Sequence, residues 1–117
     1  MSEDVTIYFN PKCSKCRLTL DLLETRGQQP EIIEYLESPP DAATLESILD
    51  MLGLEPRDLM RTFEKEYTEA GLENPDLSRT ELIDAMISYP RLIQRPIVVK
   101  NGKAAIGRPP EKILDIL

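Results

Sequence analysis

The sequence predicts an α/β fold: a four-stranded mixed sheet made from an N-terminal β-α-β unit and a C-terminal β-β-α unit, with an all-helical insertion between them. Three observations carry this reading. Val5-Thr6-Ile7-Tyr8 and Glu31-Ile32-Ile33-Glu34-Tyr35-Leu36 read as strands on either side of a helical pattern, and strands joined by a helix within ~30 residues run parallel. Ile97-Val98-Val99 and the segment from Lys103 to Ile106 flank Asn101-Gly102, a strong signal for a two-residue hairpin. Between these halves, residues 41 to 90 carry their apolar side chains at helical spacing.

Each element has its own start and stop. Asn10-Pro11 breaks the first strand. From Ser14 the pattern turns helical, with Cys16, Leu20 and Leu23 on one face and Gly27 as the stop. Ser38-Pro39-Pro40-Asp41 ends the second strand and opens a helix that places Leu45, Ile48, Leu49 and Leu52 on one side, closed by Gly53. Shorter helical pieces are expected around Arg57 to Thr62, which would hold Arg61, and around Glu64 to Ala70. Ser78-Arg79-Thr80-Glu81 is a capping-box signature ahead of Leu82, Ile83, Met86 and Ile87, and Pro90 terminates that helix. Arg95-Pro96 precedes the third strand. Gly107-Arg108-Pro109-Pro110 starts a last helix, with Ile113, Leu114 and Leu117 expected to face inward. Both flanks are needed to complete the sheet, so residues 1–117 read as a single domain with a helical insertion at about 41–90.

Composition narrows the function classes. Apolar residues make up 41% of the 117, enough for one modest core. No apolar run approaches the ~20 residues of a membrane span. A net charge of −7 argues against a general nucleic-acid binder, while 14 basic residues leave room for a local anion site. Met1-Ser2-Glu3-Asp4 shows no basic stretch followed by an apolar run, so the cytoplasm is the expected address.

Chemistry concentrates at Cys13-Ser14-Lys15-Cys16, which holds both cysteines of a chain without histidine. Two thiols three apart at a strand-to-helix join are where redox chemistry is expected. Cys13 falls at or just before a helix N-terminus, where unpaired backbone N–H groups and the helix dipole favour a thiolate. Lys12, Lys15 and Arg17 add positive charge nearby, and Cys16 lies one turn further in and deeper. A structural zinc site needs four ligands, usually Cys and His, so no metal is expected. A structural disulfide suits a secreted protein, and inert core cysteines do not explain the turn position or the basic neighbours.

The order of elements, with Cys-x-x-Cys at the first turn and a proline before the third strand, resembles a thioredoxin fold. Ile7-Tyr8-Phe9-Asn10-Pro11-Lys12-Cys13, Tyr35-Leu36-Glu37-Ser38-Pro39-Pro40, Arg91-Leu92-Ile93-Gln94-Arg95-Pro96-Ile97-Val98-Val99 and Gly107-Arg108-Pro109 resemble the glutaredoxin-coupled arsenate reductase family across essentially the whole chain. That resemblance implies Cys13 as the nucleophile toward arsenate and Arg61, Arg95 and Arg108 as the oxyanion holders; the thioredoxin-like fold implies a cis Arg95–Pro96 bond with Pro96 backing the catalytic turn, and Arg17 either covers the helix or helps the anion site. It implies glutathione as co-substrate, glutaredoxin as the recycling partner and no bound cofactor. Guanidinium groups suit the role, because they bind tetrahedral oxyanions through forked, charge-assisted hydrogen bonds and stabilise a nearby thiolate.

Two departures from the family stand out. Phe9 occupies a place where its members generally carry histidine, and Cys16 one where they carry a non-cysteine residue. The second thiol offers an intramolecular route beside glutathione. Two other readings use the same turn: a general glutathione-dependent thiol reductase acting on another oxyanion or a disulfide, and a redox-sensing regulator of the Spx type that binds RNA polymerase. The latter's pattern does not call for Gly107-Arg108-Pro109. The phosphatase-like arsenate reductase design needs an arginine after five intervening residues, and Thr19 stands there.

Overall fold

The computed structural model describes residues 5–117. The chain divides into two compact units, one running through Ser38 and resuming at Arg95–Leu117, the other formed by Pro39–Gln94.

The first unit holds the sheet. Strands β1 (Val5–Phe9), β2 (Glu31–Glu34), β3 (Ile97–Lys100) and β4 (Lys103–Ile106) lie in the order β2-β1-β3-β4. β1 and β2 are parallel, and β1–β3 and β3–β4 are antiparallel, giving the expected mixed sheet. The hairpin turns at Asn101 and Gly102 with φ of 52° and 74°, both in the left-handed region that a tight two-residue turn requires. Helix α1 (Ser14–Thr25) buries Cys16, Thr19 and Leu23. Val5, Ile7, Phe9, both cysteines, Leu23, Val98 and Ile113 form one buried apolar cluster, so the reactive turn is rooted in the core of this unit.

Two readings of this unit change. The second strand stops at Glu34 rather than Leu36, because the Glu34 carbonyl turns to accept from the N–H groups of Glu37 and Ser38. The terminal helix is a 3-10 helix over Pro110–Ile116. Its period of three brings Pro110, Ile113 and Ile116 to one side. Ile113 is fully buried and Ile116 packs against the core cluster, whereas Leu117, expected to face inward, is exposed.

The second unit contains α2 (Ala42–Leu52), α3 (Lys65–Glu69) and α4 (Arg79–Ser88). Asp41 caps α2 by accepting from the Thr44 N–H, Gly53 closes it at φ 68°, and the capping box of Ser78 and Glu81 is formed. The piece expected over Arg57 to Thr62 is instead a short 3-10 helix over Pro56–Leu59. Arg61 is therefore not helical: Met60 makes an isolated antiparallel bridge to Ile93, and the Arg61 N–H donates to the Leu92 carbonyl at 2.6 Å. Pro90 both ends α4 and begins a second 3-10 turn over Pro90–Leu92.

Candidate active site

The register of the sheet gathers the site at one end. Phe9 pairs with Glu34, Tyr8 with Ile97, and Ile97 with Ile106. The residues just beyond β1 and β2, just before β3 and just after β4 therefore share one edge. They are Asn10 with the cysteine turn, Tyr35, Arg95-Pro96 and Gly107-Arg108. Both Arg95–Pro96 and Arg108–Pro109 are cis, the first as the resemblance implies.

Cys13 is the N-cap of α1, with extended backbone (φ −96°, ψ 121°). Its N–H donates to the Asn10 carbonyl at 2.9 Å, which closes the turn, and its carbonyl accepts from Arg17 at 3.1 Å. Burial by itself would raise the Cys13 pKa. Against it act the Cys16 backbone N–H, the Cys16 side chain and the Arg95 guanidinium, and together they bring the thiol below its ordinary value of 9.0. No side-chain hydrogen bond of normal geometry ties the sulfur to the helix, so this is a field of nearby donors and charge rather than one bond. Cys16 moves the other way: burial, then the negative charge of Cys13, push it up to about 12. Both are free thiols. One turn thus holds two thiols shifted in opposite directions, Cys13 toward the thiolate and Cys16 toward the protonated form.

Arg95 is half-buried, and its Nε is buried without a hydrogen-bond partner. Its carbonyl accepts from Arg108 Nε at 2.7 Å, so the two arginines are tied side chain to backbone at the sheet end. Among the described residues neither is paired with a carboxylate. Arg61 belongs to the Pro39–Gln94 unit, where it bonds Glu64 at 2.9 Å and lies 4.6 Å from the centroid of the Phe63 ring. Arg17 is exposed on α1. Gly107 donates its N–H to the Pro96 carbonyl at 2.9 Å, which fixes the segment from which Arg108 projects. Among the described residues no group of three or more Cys, Asp or Glu side chains is arranged to hold a metal ion, and no helix is long and apolar enough to cross a membrane.

Asn10 and Tyr35 were not singled out by sequence reasoning as site residues. Asn10 supplies the carbonyl that turns the chain at Cys13, and its Oδ1 accepts from the Lys12 N–H at 3.0 Å. An Asn-Pro pair one residue ahead of the Cys-x-x-Cys turn carried that signal.

The profile of the ArsC family matches residues 8–116. This chain belongs to the ArsC family. It is 52% identical to the uncharacterized protein YfgD of Escherichia coli (strain K12) over 118 residues, taking in 100% of this chain and 99% of that one. It is 46% identical over 115 residues to an arsenate reductase of Neisseria meningitidis serogroup B (strain ATCC BAA-335 / MC58), covering 97% of this chain and 98% of the relative. Among solved structures, the arsenate reductase from Vibrio cholerae superposes with a TM-score of 0.96 at 49% identity, over 100% of both chains. The thioredoxin-like mixed sheet is thus the fold of the family, carried here with a second cysteine at the turn.

Proposed function

We propose that this protein is a thiol-dependent arsenate reductase. The observation that carries the reading is Cys13, a thiol biased toward thiolate, beside Arg95, whose guanidinium has, among the described residues, a buried Nε without a partner and no paired carboxylate. Arg95 and Arg108 hold the oxyanion, and the family resemblance further implies a part for Arg61, which belongs to the Pro39–Gln94 unit. The Cys13 thiolate attacks arsenic; an As–S bond forms, an As–O bond breaks, and the oxygen leaves as water. A second thiolate then attacks the Cys13 sulfur. An S–S bond forms, the electron pair of the As–S bond stays on arsenic, and arsenite departs two electrons richer. Glutathione is the second thiol and glutaredoxin reduces the mixed disulfide, with Cys16 as the intramolecular alternative.

A second reading draws on the chain's own departures: Cys16 beside Cys13 and the absence of histidine suit a general glutathione-dependent thiol reductase. Steady-state turnover of arsenate with glutathione and glutaredoxin, set against a disulfide substrate, separates the two. Arsenate turnover that Cys13→Ser abolishes and Arg95→Ala or Arg61→Ala weakens supports the first. Disulfide reduction without arsenate turnover favours the second.

A further inference from the structure

Tyr35 lies at the sheet end that carries the cysteine turn, directly after β2, where the register of β1 with β2 sets it beside Asn10. It is 1% exposed, and its hydroxyl is buried with no hydrogen-bond partner. A hydroxyl withdrawn from water without a partner is costly, and folded proteins rarely retain one without a use for it. Its surroundings point to that use. Burial pushes the phenol's pKa up, Arg95 pulls against it, and Cys16 and Cys13 add to the rise, so all three stand within electrostatic reach. The Asn10 side chain also acts on the phenol, without a hydrogen bond of normal geometry. The group keeps its proton across the physiological range, so toward an anion it acts as a donor. Among the described residues the hydroxyl bonds neither thiol, so its proton is free to be donated to an incoming acceptor. Arg95 Nε, buried and unpartnered nearby, is in the same condition.

We propose that the Tyr35 hydroxyl is an anion-binding group of this site, donating a hydrogen bond to an oxygen of the tetrahedral oxyanion held between Cys13 and Arg95. The inference rests on the oxyanion reading above and adds to it a neutral donor on the β2 side, opposite the arginines that enter from β3 and β4. A neutral donor favours an anion that presents an oxygen in that direction over a plain point charge, so it contributes to selection for a tetrahedral oxyanion.

The test is Tyr35→Phe in the full chain, which removes the hydroxyl and keeps the ring. The readouts are the sulfate concentration that half-protects Cys13 from iodoacetamide at low ionic strength, the pH midpoint of alkylation without anion, and the melting temperature. The expected result is half-protection that needs about tenfold more sulfate or beyond, with the anion-free midpoint as in wild type and a melting temperature at or above it, since a costly unpartnered hydroxyl is removed. A half-protecting concentration within twofold of wild type overturns the proposal. So does a shift of the anion-free midpoint, since the hydroxyl would then act on the thiolate itself. If wild type shows no protection by sulfate or arsenate, the parent reading falls and the proposal with it. Protection of wild type that Arg95→Ala abolishes and Tyr35→Phe leaves intact removes the tyrosine alone.

Discussion

Gly107→Ala probes how closely the framework of the site is packed. A Cβ at this position would meet Thr19 Oγ1 at 2.5 Å, Pro96 Cγ at 2.9 Å and Thr19 Cγ2 at 3.2 Å. Ordinary contacts fall at ~3.5–4.0 Å, so α1 and the proline must both retreat. Thr19 is fully buried in the middle of α1, and Pro96 is held by its carbonyl's bond to the Gly107 N–H, so neither has free space to enter. Overpacking of this kind costs about 1–3 kcal/mol, offset by about 0.4–1 kcal/mol from the smaller unfolded-state entropy of alanine. The net centres on about 1.3 kcal/mol within a span of about 0–2.6, or a melting temperature lower by about 4–8 °C at the centre for a chain of this size. The same retreat moves Arg108 and Pro96 relative to Cys13, so sulfate protection of Cys13 should weaken too. Thr19→Ala removes both Thr19 atoms in the way, along with a buried hydroxyl that has no partner. The double variant Thr19→Ala/Gly107→Ala should therefore recover much of the loss, giving a positive coupling in a double-mutant cycle followed by thermal melting. A Gly107→Ala protein that melts at or above wild type would refute the close approach of α1 to the β4 end.

Three further outcomes follow from the thiols and their neighbours. Arg95→Ala should move the alkylation midpoint of Cys13 upward, because the lost guanidinium favoured the thiolate; an unchanged midpoint would leave the Cys16 backbone N–H as the main cause. Cys16, pushed up to about 12 from 9.0, keeps its proton in the fold after the unfolded chain has lost its own. Stability should therefore fall as pH rises from about 9 toward 12, and Cys16→Ala should flatten that slope in urea titrations read at successive pH values; equal slopes would count against the assignment. Mild peroxide should join Cys13 and Cys16, seen by mass spectrometry as the loss of two protons, whereas a product over-oxidised at Cys13 alone would show Cys16 to be structural.

Much of the site's scaffold was legible because its signals are local. Asn10-Pro11 stopped β1, the apolar spacing after Ser14 started α1, and these two facts alone put Cys13 at a helix N-terminus. Gly53 and Asn101-Gly102 marked positions where the backbone needs positive φ. What the sequence hid depends on partners distant along the chain. Arg61 sits in irregular backbone because Met60 pairs with Ile93, a contact no local propensity announces. The last helix follows a period of three, which turned Leu117 outward while the expected face assumed 3.6. Tyr35 looked like one more strand residue, since an apolar run does not show where its strand ends.

The arginines show most plainly what the structure adds. The chain carries 21 acidic residues against 14 basic ones, and among the described residues three of its eight arginines are paired with a carboxylate. Arg61 takes Glu64, Arg79 takes Glu46 and Glu55, and Arg91 takes Glu64 and Glu66. Arg57 is held by the Tyr67 hydroxyl and by two backbone carbonyls, while Arg17 and Arg26 are exposed to solvent. Arg95 belongs to none of these groups: it is half-buried, paired with no carboxylate among the described residues, and acts on a thiol whose ionisation it assists. In a molecule of net charge −7 that repels anions at long range, affinity for one must come from charge left unneutralised at short range. On the reading proposed above, the Arg95 guanidinium supplies that charge, and the neutral Tyr35 hydroxyl adds an unused donor at the same sheet end. If that proposal holds, an oxyanion bonded to both donors would be held at the sheet end that carries Cys13, so the groups that bind it would also bring it toward the thiol that attacks.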